Sequence, residues 1–152
     1  LRSLYVRAPE SEEALRNGLE RARSVVEPQP AVRAYEAAFV VLRAKHAFWP
    51  HAKMRYLRRG LPRLDSLVTR HPDQVEIRYL RLLSCYFIPD FLGMSESVET
   101  DFRVLADELP HARAEFPDSL YQDMLQFVLR RGDLPERLQE DLEPLLTEST
   151  SS

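Results

Sequence analysis

Eleven prolines set the limits on what this 152-residue chain can form. Proline lacks a backbone N–H and its ring clashes with the preceding turn, so it ends a helix or sits in its first turn. Between the prolines lie Glu10–Glu27, Ala31–Trp49, His51–His71 (interrupted by Pro62), Asp73–Ile88, Asp90–Leu109, Asp118–Leu134 and Glu136–Glu143. Most of these stretches suit helices of about three to five turns. The chain has only four glycines and no Asn-Gly or Asp-Gly pair between alternating apolar runs, so hairpin signals are missing. The expected fold is an all-α, single-domain bundle of about seven helices arranged as αα-hairpins, over residues 1–146, with a flexible tail at 147–152.

Periodicity supports this division. Tyr35, Phe39, Leu42 and His46 fall at i, i+4, i+7 and i+11, as do Leu57, Leu61, Leu64 and Val68, and Val98, Phe102, Leu105 and Leu109. Each set predicts one buried stripe. Ala34, Ala37, Ala38, Val41 and Ala44 add a small-residue face that lets a second helix approach closely. The Asp73–Ile88 stretch is apolar around most of its circumference through Ile77, Tyr79, Leu80, Leu82, Leu83, Tyr86, Phe87 and Ile88, which predicts the central helix. Ser11, Asp118, Gly132 and the Asp133/Glu136 pair stand where caps are expected. Pro62 should kink or split its helix near Leu61.

Composition narrows the function classes. Hydrophobic residues make up 44% of the chain and can supply a core, while 30% charged residues supply a polar surface. A formal charge of −3 gives no global attraction to nucleic acid or acidic membranes, so no nucleic-acid partner is expected. The lone Cys85 rules out an internal disulfide and a multi-cysteine zinc site. No apolar run approaches the roughly 18–20 residues that span a bilayer. The chain opens on Leu1 rather than Met, which favours an exported or periplasmic protein, with the cytoplasm as the alternative.

Helix pairs joined by short Pro-containing turns, as at Arg70–Asp73, resemble tetratricopeptide-type αα-hairpins, although no 34-residue period runs through the chain and the array is not a consensus one. A more specific pattern is Ala44-Lys45-His46, Pro50, Lys53, Tyr56-Leu57, Gly60, Leu64-Asp65, Pro72, Glu76-Ile77-Arg78, Leu80-Arg81, Pro89 and Phe91-Leu92-Gly93. Over about a third of the chain it resembles an uncharacterised family of small bacterial all-helical proteins. The resemblance implies a helical fold and often an export signal, and it carries no known activity.

Four groups of residues could carry chemistry. His46 and His51, with Asp65 or Glu76, could form a metal site, but two nearby histidines fall short of the three or four convergent ligands a metal needs. His46 at its helix C-terminus reads more simply as a structural imidazole. Arg78 and Arg81, three apart on one narrow face, could bind a small anion together with Lys45, Lys53 or His46. Their structural alternative is an ion-pair network with Glu36, Asp65, Glu76 or Asp101, because an unpaired buried charge is costly. Lys53, Arg55, Arg58, Arg59 and Arg63 around Tyr56 form a basic run that reads as a solvated helix face. Ser84 and Cys85 lack a nucleophile-elbow context.

These features point to a non-catalytic module that binds another protein or a small anionic ligand at His46, Lys53, Arg78 and Arg81, with no catalytic residue, metal or cofactor expected. One alternative is an enzyme with His46 as general base and Arg78 and Arg81 orienting an anionic substrate. Another is a structural subunit that self-associates through an exposed apolar patch.

Overall fold

Each proline-bounded stretch becomes a helix. A computed structural model describes residues 1–89 and 92–147. Among the described residues the elements are eight α-helices and short 3-10 turns, with no strand. They are α1 (Arg2–Arg7), α2 (Glu12–Ser24), α3 (Pro30–His46), α4 (Pro50–Arg70), α5 (Val75–Tyr86), α6 (Ser95–Glu108), α7 (Asp118–Arg131) and α8 (Glu136–Leu142). Helix α1 is the element the sequence did not announce, since six residues are too few to display a period. Asp90, at the start of the fifth stretch, and tail residues 148–152 lie outside the described residues. The chain divides into two compact units, Leu1–Ile88 and Pro89–Ser152.

In the first unit α3 is the hub, rather than α5, because α3 packs on α2, α4 and α5. Its most extensive contact is with α4, joined to it by Ala47, Phe48 and Trp49. The small-residue face explains this closeness. Ala34, Ala37 and Ala38 are fully buried, and a β-carbon at Gly60 of α4 would lie 2.5 Å from Val41 Cγ2 and 2.8 Å from the Ala37 carbonyl oxygen. On the other side a β-carbon at Gly18 of α2 would lie 2.3 Å from the Phe39 ring, so α2 also meets α3 through a glycine. Tyr5 of α1 packs edge-on against Tyr35 and Phe39, with ring centroids 5.8 and 5.6 Å apart, a favourable aromatic arrangement. Leu64, Val68, Ile77 and Leu80 complete this core, and Leu57 and Leu61 pack against it half-buried.

Helix α4 runs unbroken through Pro62, so of the two outcomes expected there, a kink or a split, the split does not occur. Packing along its apolar stripe, Leu57, Leu61, Leu64 and Val68, holds the helix across the missing hydrogen bond. Helix α5 is buried over most of its surface, but Phe87, counted among its apolar residues, caps its C-terminus and is 74% exposed.

In the second unit Phe102, Leu105, Leu109, Tyr121, Met124, Leu125, Val128, Leu138 and Leu142 are buried. The buried Tyr121 hydroxyl donates a 2.7 Å hydrogen bond to the Leu109 carbonyl. The Phe102 and Phe127 rings stack at 5.8 Å.

The caps divide. Ser11 is a true N-cap whose Oγ accepts from the Ala14 N–H at 3.1 Å. Asp118 instead lies in the first turn of α7, after Pro117, and pairs with Arg113 at 3.1 Å. Gly132 does cap α7, but with a right-handed φ of −80°. The left-handed residue is Asp133, with φ 44°. Asp133 therefore leads the chain into Pro135, the N-cap of α8, instead of closing a capping box with Glu136. Thr147, at the edge of the expected tail, donates its backbone N–H to Gln122 Oε1 at 3.0 Å.

Candidate functional site

The four residues expected to form a binding site each hold a separate piece of the first unit. His46 ends α3, and its Nε2 lies 2.8 Å from the Ala8 carbonyl oxygen. A carbonyl only accepts, so Nε2 carries the proton and donates it, which leaves Nδ1 facing Glu12 at 3.8 Å. Lys53, in the first turn of α4, donates from Nζ to the Ala44 carbonyl at 2.9 Å. That carbonyl is in the last turn of α3, where backbone oxygens lack helical partners and the dipole favours a cation. His46 and Lys53 thus secure the α3–α4 turn from opposite sides of the sequence.

Arg78 and Arg81 are buried on α5. Arg78 Nη2 donates to the Pro72 carbonyl at 3.0 Å, tying α5 to the turn before it. Arg81 Nη1 bonds Asp65 Oδ1 of α4 at 3.3 Å, one of the expected ion pairs. Glu36 and Glu76 have other cationic partners. Glu36 pairs with Arg23 at 3.3 Å and lies 3.7 Å from Arg63.

Glu76 takes the fork of Arg2, with Nε to Oε1 at 2.7 Å and Nη2 to Oε2 at 2.8 Å, and accepts a short hydrogen bond from the Tyr35 hydroxyl. Burial alone would raise the Glu76 pKa, but the bonds from Arg2 and Tyr35 outweigh it and hold the carboxyl below its ordinary value. Burial, then the bond to Glu76, pushes the Tyr35 phenol well up. This triad fastens α1 and α3 to α5. Tyr5, next to it in the core, is pushed up to about 12, chiefly by burial.

Among the described residues no group of three or more His, Cys, Asp or Glu could hold a metal ion. The carboxylate nearest His46 is Glu12, 3.8 Å from Nδ1, rather than Asp65 or Glu76, which pair with Arg81 and Arg2. Among the described residues no helix is long and apolar enough to cross a membrane. A shallow surface hollow lined by Leu4, Asn17, Glu20, Arg21 and Ser24 includes none of the four expected site residues.

What faces outward is the α3–α4 turn itself. Phe48 is 83% exposed and Trp49 60% exposed. Their rings meet edge to face at 5.0 Å, and Trp49 lies nearly parallel to His51 at 6.3 Å. Beyond the turn, Arg55, Arg58, Arg59 and Arg63 are exposed along α4. Arg55 and Arg43 both sit over the Tyr56 ring, at 5.6 and 5.7 Å. Among the described residues neither Arg58 nor Arg59 forms an ion pair.

Along the sequence the charge on either side of this turn is one-sided, although Glu10 and Glu12 reach Lys45 and His46 in space. Between Glu36 and Asp65 there is no acidic residue, while seven Lys and Arg fall there: Arg43, Lys45, Lys53, Arg55, Arg58, Arg59 and Arg63. The first unit has sixteen Lys and Arg against nine Asp and Glu, and the second five against fifteen. The formal charges are +7 and −10, which together give the −3 of the whole chain. The overall figure conceals the asymmetry. Counting charge by segment was the signal that would have brought Phe48, Trp49 and the basic face of α4 forward from the sequence.

No family, curated protein or solved structure matches the chain.

Proposed function

We propose that this chain is a non-catalytic helical binding module and that its contact surface is the α3–α4 hairpin, in the style of helical-hairpin interaction domains. The observation that carries the reading is the pair Phe48 and Trp49, 83% and 60% exposed side by side in the middle of an acid-free basic segment. Single exposed apolar residues are ordinary on protein surfaces, but adjoining aromatics beside arginine are the residue types that dominate contact energetics. Burying a Phe-sized side chain contributes about 1.5–3 kcal/mol. His46 and Lys53 fasten the helix ends that flank the turn, which reduces the backbone entropy lost on contact.

With its Nε2 proton on the Ala8 carbonyl, His46 could act as a general base only through Nδ1, and that nitrogen faces Glu12 at 3.8 Å rather than a cleft shared with Arg78 and Arg81. Arg81 likewise spends a donor on Asp65. The test is the double variant Phe48→Ser with Trp49→Ser. It should unfold within about 0.5 kcal/mol of the parent, as expected of surface positions, and the immobilised chain should no longer retain a partner that the parent retains. A large loss of stability, or unchanged retention, would refute the reading.

A further inference from the structure

The exposed cations of α4 form a line. Arg55, Arg59 and Arg63 stand at i, i+4 and i+8, one helical turn or about 6 Å apart, with Arg58 beside them; Arg63 also lies 3.7 Å from Glu36 and is 56% exposed, so its guanidinium keeps donors for a second carboxylate. The line begins about 9 Å along the helix from Trp49 and ends about 21 Å from it, at a rise of about 1.5 Å per residue. Resting on the proposed use of the α3–α4 surface, we infer that its partner is an acidic protein segment: carboxylates spaced one helical turn apart meet Arg55, Arg59 and Arg63, and an apolar end covers Phe48 and Trp49.

Charge complementarity selects the sign of the partner and the linear spacing selects its form. Guanidinium forks pair with carboxylates bidentately, and an acidic helix repeats its carboxylates at the spacing of the arginines. A lipid surface fits less well. If the aromatic apex entered a bilayer with α4 upright, Arg59 and Arg63 would stand about 15–21 Å away, beyond the roughly 8 Å over which charges act at physiological salt. If α4 lay flat, it would have no apolar face to offer, because Leu57, Leu61, Leu64 and Val68 are packed into the core. A nucleic-acid strand fits less well too. Phe48 and Trp49 meet at an interplanar angle of 88°, so the two rings do not offer parallel faces on which successive bases could stack.

Trp49 is the only tryptophan of the chain and reports on this surface directly. The full chain is titrated with an alanine-based helical peptide bearing glutamates at three successive i, i+4 positions and a leucine pair one turn beyond. The expected result is a saturable blue shift of Trp49 emission with protection from acrylamide, roughly tenfold weaker at physiological than at low ionic strength. Replacing the glutamates by glutamine should abolish it. Arg59→Glu should weaken binding about tenfold, and a peptide with lysine at the central glutamate should restore binding to that variant. The glutamine peptide leaves the protein untouched, so a folding defect in Arg59→Glu cannot imitate the result. A Trp49 response to phosphatidylserine vesicles or to a single-stranded oligonucleotide, with none to the peptide, overturns the acidic-segment inference and leaves the surface reading standing. Silence with all three probes overturns both.

Discussion

Replacing Glu76 by Gln isolates the triad that fastens α1 and α3 to α5. Glu76 is only 12% exposed, whereas its partner Arg2 is 44% exposed, so the carboxylate is the desolvated member. Hydrogen bonds to a charged group contribute about 1.5–3 kcal/mol each when buried, and less when one partner stands half in water. The Tyr35 bond is the buried one, and the Arg2 fork is discounted toward the roughly 1 kcal/mol of a surface pair. Gln keeps one acceptor and loses the charge, which gives an expected destabilisation of about 2–3 kcal/mol, or a fall in Tm of about 5–10 °C for a chain of this size.

The pH dependence adds a sharper signature. Because the folded Glu76 carboxyl titrates below its unfolded counterpart, its stabilisation is complete above an unfolded value of about 4.3 and is lost as pH falls through the folded value. Urea denaturation at pH 7 and at steps below pH 4.5 should therefore show the parent and Glu76→Gln far apart at neutral pH and converging in acid. Tyr35→Phe should cost about 1.5–2 kcal/mol and Arg2→Met no more than about 1 kcal/mol. Stabilities within about 0.5 kcal/mol of each other at pH 7, or a gap that persists in acid, would refute the argument.

Three further outcomes are expected. Gly60→Ala should destabilise by about 1–2 kcal/mol in thermal unfolding, because overpacking against Val41 and the Ala37 carbonyl exceeds the roughly 0.5–1 kcal/mol gained in helix propensity, and adding Val41→Ala should recover only part of the loss. Gly18→Ala should cost at least as much, and Phe39→Leu in the same chain should show favourable coupling in a double-mutant cycle. Tyr121→Phe should cost about 1–2 kcal/mol by chemical denaturation, since the Leu109 carbonyl loses its hydroxyl partner in a buried setting.

The helices were legible because their signals are local. Proline positions bounded them, and the stripes at Tyr35–His46, Leu57–Val68 and Val98–Leu109 placed their inward faces. The small-residue face of α3 correctly foretold a close neighbour, but which helix would supply the matching glycine depended on tertiary pairing. The hub was misplaced on α5 because apolar circumference measures how much of a helix is buried, not how many helices bury it. The caps at Asp118 and Asp133 failed for a related reason: the same residue types also start first turns and adopt left-handed φ, and only the backbone decides among them.

The polar residues were found more readily than their roles. Arg81 does pair with Asp65, as one expected network had it, but Glu76 is matched by Arg2, 74 positions away in the sequence and within a helix that left no pattern. Lys53 and His46 bind backbone carbonyls, which no side-chain motif records. Phe48 and Trp49 carry no such signal either, because two adjoining aromatics between helices read the same whether they are packed inward or exposed, and only the fold decides.

Whether the α3–α4 turn is a contact surface is read most simply by placing a photo-reactive benzoyl-phenylalanine at position 48 of the chain in its native cell, with the same residue at exposed position 69 on α4 as control. Position 48 should crosslink to a protein, the crosslink should be lost when Arg59→Glu is added, and position 69 should give none. Equal crosslinking from both positions, or none from position 48, would contradict a contact role for the turn.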